Sequence, residues 1–193
     1  MAVSTMKIET NIETRKLQVD LAVSIVLVCI SVLFGTLFLG YTVIRFQTPV
    51  WPPMGMDKVP SFYPTLSSVI IILSSFFYSL YNRSLAKSEE TSIYFYLVFL
   101  LGIGFCVSQG FLWSQLHELH IYKNSGIWGS VLHGFTWIHF AHIVGSLIMM
   151  VIGAIKIIRQ RALQSQTFFY QSGRIWHLLG MIWLIMYLGI FIF

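Results

Sequence analysis

Residues 131–158 read VLHGFTWIHFAHIVGSLIMMVIGAIKII, and this stretch decides the fold class. A transmembrane helix needs about 20 predominantly apolar residues, and the only charged side chain in the stretch is Lys156, close to its end. Four other runs are similarly apolar. The five predicted spans cover about 21–45, 64–82, 92–116, 131–158 and 174–193. The sequence therefore predicts an all-α integral membrane protein that forms a bundle of five transmembrane helices.

The composition of the whole chain agrees with a location in the bilayer. Of the 193 residues, 56% are hydrophobic and 10% are charged, whereas a soluble domain has about 25% charged residues. Cys29 and Cys106 both lie in apolar runs, so we interpret them as small packed side chains and not as a disulfide or a metal pair. No spacer between the spans is long enough for a separate soluble domain.

The positive charges predict the orientation of the spans, because cytoplasmic loops of membrane proteins are enriched in Lys and Arg. We interpret residues 1–19 as a polar cytoplasmic tail and residues 20–193 as one membrane domain. The cytoplasmic set is then Lys7, Arg15, Lys16, Arg83, Lys87, Lys156, Arg159, Arg161 and Arg174, and the outer set is Arg45, Lys58 and Lys123. Nine charges against three place the N-terminus inside and the C-terminus outside. Membrane topology thus accounts for the net charge of +5. The positive charge therefore does not indicate nucleic acid as a partner.

Acidic residues are absent from the middle of the predicted spans, which argues against a proton-coupled transporter. Gln115 and Glu118 lie three residues apart at the end of the third span, so they share one helix face. They are candidates for polar contacts between helices or for proton or ligand handling. We expect Glu118 to bond to a fourth-span histidine, either His133 or His139, or to its neighbours, because lipid offers no hydrogen-bond partner.

His139 and His142 also lie three apart on one helix face and could hold a metal, hold a haem or pack helices together. Glu118 is too isolated for a di-iron bundle, and HELH at 117–120 is one residue short of a zinc-peptidase motif. A shared haem needs axial histidines at matching depths. We place the pair near the outer start of span four and His177 at the cytoplasmic start of span five, so helix packing is the favoured interpretation.

Several motifs occur in the order found in one membrane family. They are LFGTLFLGYTVIRF at 33–46, WPPMG at 51–55, PTLSSVIIILSS at 64–75, FLWSQLHEL at 111–119, SGIWGSVLHGFTWIHFAHIVGS at 125–146 and IWHLLGMIWL at 175–184. In this order the sequence resembles subunit III of the haem-copper terminal oxidases, in the short five-helix form of bacteria. The resemblance covers about residues 21–193.

Five positions, two of them an adjacent pair, depart from the pattern of that family. Cys29 and Ile30 stand where a Ser-Glu pair is usual, and Gly180 stands where an Asp follows the last-helix histidine by three residues. Trp137 replaces a Gly, and Ser67 replaces a common Asn. The chain thus resembles a divergent member that keeps its histidines and lacks two buried carboxylates.

The resemblance implies a non-catalytic subunit of a proton-pumping oxygen reductase, most often a cytochrome c oxidase, in the bacterial plasma membrane. It implies no catalytic residue, metal or haem in this chain, haems and copper in partner subunits, and bound phospholipid. The implied partners are the large catalytic subunit I, other oxidase subunits and membrane phospholipids. The residues expected to pack helices or contact lipid are Arg45, Trp51, Gln115, Glu118, His133, His139, His142, Trp176 and His177.

Two other classes stay open from the residues alone. A free-standing b-type membrane cytochrome would show a haem spectrum in the purified chain. A small transporter would be expected to show inverted repeats or interrupted helices, and neither is apparent in the sequence.

Overall fold

The computed structural model describes residues 2–48, 61–89 and 92–192, with the side chains described from residue 13 onward. It contains five long helices, namely α1 (Ala2–Gln47), α2 (Phe62–Ala86), α3 (Ser92–Glu118), α4 (Gly126–Ile158) and α5 (Gln166–Met186). A short 3-10 turn, Leu163–Ser165, precedes α5, and a π-helical turn, Tyr187–Ile192, follows it. No strand occurs in these three ranges. Within the described residues, five helices are long and apolar enough to cross a membrane, and the predicted all-α membrane fold is confirmed.

The observed helices extend beyond the apolar runs that predict them. Helix α4 begins at Gly126 and α5 at Gln166, several residues before the predicted spans at 131 and 174. The added residues, such as the QTFFYQSG segment of α5, are mixed polar and aromatic. Gln171 and Ser172 of this segment are each only 2% exposed. Gln171 accepts a hydrogen bond from Arg174 and Ser172 donates one to the Phe168 carbonyl, so the protein itself satisfies these polar groups. Helix α1 likewise includes the segment predicted as a polar tail.

Residues Met1–Thr36 form one compact unit and Leu37–Phe193 a second. The first unit is a single helical segment on which Leu21, Ile25, Val28 and Val32 are each more than half exposed. In the second unit, the end of α1 packs on α4 through the rings of Phe38 and Phe135, whose centroids lie 5.0 Å apart.

Antiparallel contacts between α2 and α5 form a line of polar bonds, which we call the α2–α5 seam. Its pairs are Thr65 Oγ1 with Tyr187 Oη (2.8 Å), Trp183 Nε1 with Ser68 Oγ (3.1 Å), Trp176 Nε1 with Ser74 Oγ (3.1 Å) and Tyr78 Oη with the Phe169 carbonyl (3.2 Å). Both tryptophans are fully buried. The two indoles are seven residues apart, or two helical turns, so they leave α5 on the same face. The bonds therefore fix the register of α5 on α2.

Close packing of α3 and α4 on this pair depends on two glycines. A Cβ at Gly102 would lie 3.0 Å from the indole of Trp176 and 2.8 Å from Leu147. At Gly153 a Cβ would lie 2.7 Å from the ring of Phe95. Small residues let membrane helices approach closely, so these glycines seat the large aromatic side chains between helices.

Candidate functional site

His139 lies in the interior of the helix packing. Its side chain is only 1% exposed. The ring lies between Phe105 of α3 and Trp183 of α5, with centroid distances of 5.9 and 5.6 Å. The imidazole of His139, on α4, thus contacts both α3 and α5, which is what the helix-packing interpretation predicts.

His142 and His133 are less buried, and both bond within their own helix. The Nδ1 atom of His142 lies 2.7 Å from the Ile138 carbonyl, and that of His133 lies 3.0 Å from the Gly129 carbonyl. Both rings are half-buried. His139 and His142 therefore lie on the same helix but differ in their burial and in their contacts.

The predicted depths of two histidines need correction. His139 lies thirteen residues after the start of α4, or about 20 Å along the axis, and not close to the first turn of that helix. His177 lies eleven residues after the start of α5, about 17 Å along it, and not at its beginning. The prediction used the ends of the apolar runs, and the helices start earlier in polar sequence. Both histidines thus belong to the middle of the membrane-spanning segments.

Trp176 and His177 have different surroundings although they are neighbours in the sequence. Trp176 is fully buried and donates to Ser74 in the seam. His177 is half-buried, with its ring 5.9 Å from that of Tyr78 and its Nε2 atom 3.5 Å from Ser79 Oγ. Of these two side chains, only that of His177 is partly exposed.

Glu118 does not form the predicted bond to a fourth-span histidine. Its side chain is exposed, and within the described ranges no hydrogen bond connects it to α4. The reason is that Glu118 is the last residue of α3, where the chain leaves the bundle. Gln115 is half-buried, and its Oε1 atom is buried without a hydrogen-bond partner among the described residues.

The remaining two predicted residues are Arg45 and Trp51. Arg45 is half-buried in the last turn of α1. Trp51 lies outside the described residues.

An open cleft of about 340 Å³ lies between the ends of α3 and α4, and we call it the α3–α4 cleft. It is lined by Trp113, His117, Ile121, Tyr122, Lys123, Asn124, His133 and Trp137. The rings of Trp113 and Trp137 are stacked at 4.2 Å, and the Trp113 indole donates to Thr136 Oγ1 at 3.2 Å. One ammonium group, two imidazoles and a stacked indole pair thus surround an open space.

The short turn between α3 and α4 shapes this cleft. The Tyr122 N–H donates to Ser125 Oγ at 2.9 Å, and the Ser125 N–H donates to the Tyr122 carbonyl at 3.0 Å. Gly126 has φ of 83°, a conformation that favours glycine. A Cβ on Gly129 would overlap the Tyr122 carbonyl oxygen. The SG and WGS segments of the sequence therefore let the turn fold back on α4.

Among the residues whose side chains are described, the histidines do not converge with acidic or cysteine side chains. Over the ranges for which the structure gives side chains, no group of three or more His, Cys, Asp or Glu residues could hold a metal ion. The arrangement consists of one interior packing histidine, two helix-bonded histidines, and a polar cleft at one end.

A family model described as cytochrome c oxidase subunit III matches residues 7–193. The chain belongs to this family. The resemblance read from the motifs is therefore confirmed, from the first helix to the Trp-His segment of α5.

Named relatives agree with this assignment at low identity. Cytochrome c oxidase subunit 3 of Synechocystis sp. is 22% identical over 169 residues, 86% of this chain and 72% of that protein. The protein of the same name from Thermostichus vulcanus is 25% identical over 181 residues, 89% and 86% of the two chains. That of Chondrus crispus is 24% identical over 146 residues, 74% of this chain, which spans about half of the Chondrus protein's length.

Family membership places the chain among the non-catalytic subunits of respiratory oxidases, which associate with other oxidase subunits. Subunit III lacks redox centres in this family, which fits the packing role of His139. The five membrane-capable helices make it a multi-pass protein of the bacterial respiratory membrane.

Sequence reasoning missed the serines of α2 and the α3–α4 cleft. Ser68 and Ser74 could have been noticed as small polar residues six apart in a span, opposite tryptophans seven apart in α5. Of the cleft residues only His133 was predicted as a site residue, because Lys123 and Asn124 look like ordinary loop residues until the turn places them beside Trp113 and Trp137.

Proposed function

We propose that this subunit packs against the catalytic subunit of a haem-copper oxygen reductase, helps to keep it active, and binds phospholipid in the α3–α4 cleft. The haem and copper centres belong to partner subunits in this proposal. The family match over residues 7–193 is the observation that carries it. The N-terminus lies in the cytoplasm, supported by the excess of Lys and Arg on that side.

The contents of the α3–α4 cleft support a phospholipid ligand. Tryptophan side chains are enriched where headgroups meet hydrocarbon, and a lysine there attracts phosphate. Lys123 supplies the charge, and His117 supplies a hydrogen-bond donor for phosphate oxygens. The stacked pair of Trp113 and Trp137 provides an apolar wall for the start of an acyl chain. On the proposed orientation the ligand belongs to the outer leaflet.

The test is purification in mild detergent through an affinity tag on this chain, followed by mass spectrometry of the proteins and phosphorus analysis of the lipids. The expected result is a complete oxidase. The variant Lys123→Gln with His117→Gln should retain about one phospholipid fewer per complex than wild type. Lys87→Gln, an exposed lysine at the opposite end of the bundle, is the matched control.

Two outcomes would contradict the proposal. Recovery of the tagged chain without any oxidase subunit would disprove the assembly role. An unchanged phosphorus content in the cleft variant would disprove the lipid site while leaving the assembly role in place.

A further inference from the structure

A second concave surface lies between α2 and α5, and we call it the α2–α5 groove. Its volume is about 250 Å³. The rim includes Ile72 and Met181, which are 51% and 57% exposed. Ser75 and His177, which are half-buried, and Gly180, which is buried, also line the groove, and we call these three residues its base. It is therefore an outward-facing groove, apolar at its rim and polar at its base.

The polar base lies in the middle of the membrane-spanning segments. Ser75 is thirteen residues after the start of α2, about 20 Å along the helix, and His177 is about 17 Å along α5. The hydrocarbon core of a bilayer is about 30 Å thick. Water is scarce at this depth, so a polar side chain needs a protein partner.

The base of the groove has hydrogen-bonding capacity that the chain does not use. Ser75 Oγ forms no hydrogen bond with any described residue. His177 has one long contact, 3.5 Å from Nε2 to Ser79 Oγ, and its Nδ1 atom bonds to nothing in the described ranges. An acyl chain offers neither donors nor acceptors to these groups.

Gly180 is buried where α5 lies against α2. A Cβ there would lie 3.3 Å from both Ser75 Oγ and the Cγ1 atom of Ile71, so the glycine lets α5 pack close to Ser75 at the base of the groove. Small residues at membrane interfaces let a second helix backbone come close. Gly180 thus keeps Ser75 and His177 within reach of an incoming side chain.

We propose that the α2–α5 groove receives a transmembrane helix of a neighbouring oxidase subunit, and that this helix inserts a hydrogen-bonding side chain against His177 and Ser75. This inference rests on the proposed function, because it requires the chain to be assembled in an oxidase. It specifies which face of the chain makes the contact and the chemistry that the partner supplies.

The test is photo-cross-linking in the intact oxidase, isolated through the tag on this chain. Benzoylphenylalanine in place of Ile72 or Met181 should give an adduct with another subunit. The same group in place of Ile148, a 58% exposed residue of α4, should give at least about five-fold less of that adduct. Adducts with lipid alone, or equal yields at all three positions, would overturn the inference although the oxidase co-purifies. Failure to co-purify would instead contradict the proposed function.

Substitutions at His177 separate hydrogen bonding from packing. His177→Leu should lower the fraction of this subunit retained after a detergent wash by about three-fold to twenty-fold, the range expected from polar contacts between membrane helices. His177→Gln, which keeps a donor and an acceptor, should restore most of the retention, and Met181→Leu is the apolar control. Equal retention of Leu and Gln variants, whether high or low, would contradict a hydrogen-bonded partner.

Discussion

The α2–α5 seam and the α3–α4 cleft both combine tryptophan with polar side chains, yet they are organised in opposite ways. In the seam, Trp176 and Trp183 are fully buried, and each indole donates to a serine of the facing helix. In the cleft, Trp137 is 53% exposed and stacks on Trp113 beside an open space. The seam pairs both of its indole N–H groups between helices, whereas the cleft also has Lys123 and His117 beside an open space.

The difference follows from depth in the bilayer. Hydrocarbon cannot bond to an indole N–H, so mid-membrane polar groups must find protein partners. At the interface, water and lipid headgroups provide partners, so Lys123 and His117 need none from the chain. We infer that the seam determines stability, whereas the cleft determines what the subunit binds.

The largest contrast is expected between two tryptophan-to-alanine variants. Trp183→Ala should lower the free energy of unfolding by about 3–5 kcal/mol, because it leaves a cavity beside Phe105 and His139. Trp137→Ala should cost about 0.5–1.5 kcal/mol, the worth of an aromatic pair. Unfolding in mixed SDS micelles measures both variants. Equal losses would show that the seam and the cleft do not differ in this way.

Adding a single methyl group at Gly129 should disrupt the turn beside the cleft. Gly129→Ala should cost about 1–3 kcal/mol, because its Cβ would overlap the Tyr122 carbonyl. Gly134→Ala is the matched control on the same helix, where a Cβ has nothing within 4 Å. The same unfolding assay applies. A loss at position 134 as large as that at 129 would mean that helix α4 and not the turn is affected.

The five helices could be predicted from the sequence because their apolar runs are long and well separated. Their ends could not, because the QTFFYQSG segment of α5 is helical although its composition resembles a loop. This error moved His139 and His177 towards opposite ends of the membrane. The depth of a residue in the membrane is counted from the ends of its helix. An error of a few residues in those ends therefore changes the expected partners of every buried polar group.

A double-mutant cycle tests whether the seam bonds stabilise the protein. The coupling between Ser68→Ala and Trp183→Phe should be about 0.6 kcal/mol, the average for polar contacts between membrane helices. Ser130→Ala with Trp183→Phe is the control, since Ser130 is exposed and bonds only within the turn region. Zero coupling for the first pair would show that packing alone holds the seam.

The smallest effect is expected at Glu118. Its exposed position at the end of α3 predicts that Glu118→Ala changes the unfolding free energy of the isolated subunit by less than about 0.5 kcal/mol. If the unfolding free energy instead fell by 1 kcal/mol or more, the hydrogen bond from Glu118 to an α4 histidine, which the sequence predicted, would be supported after all.

The partners of buried polar groups were the least predictable part of the site. Gln115 and Glu118 share a helix face, but spacing does not reveal that the helix ends at Glu118. Ser68 and Trp183 are 115 residues apart, and their pairing depends on how α2 and α5 rotate against each other. The hydrogen-bond donors and acceptors can be read from the sequence, but which of them pair depends on how the helices pack.

Cysteine accessibility tests the central claim most directly, namely that the cleft faces the outside of the membrane while the seam is closed within it. In a chain with Cys29→Ala and Cys106→Ala, a cysteine in place of Lys123 should react in intact cells with an impermeant maleimide. A cysteine in place of Arg161 should react only after the membrane is permeabilised, and one in place of Ser68 only after unfolding. Labelling at 161 but not at 123 in intact cells, or labelling at 68 in the folded protein, would contradict the account.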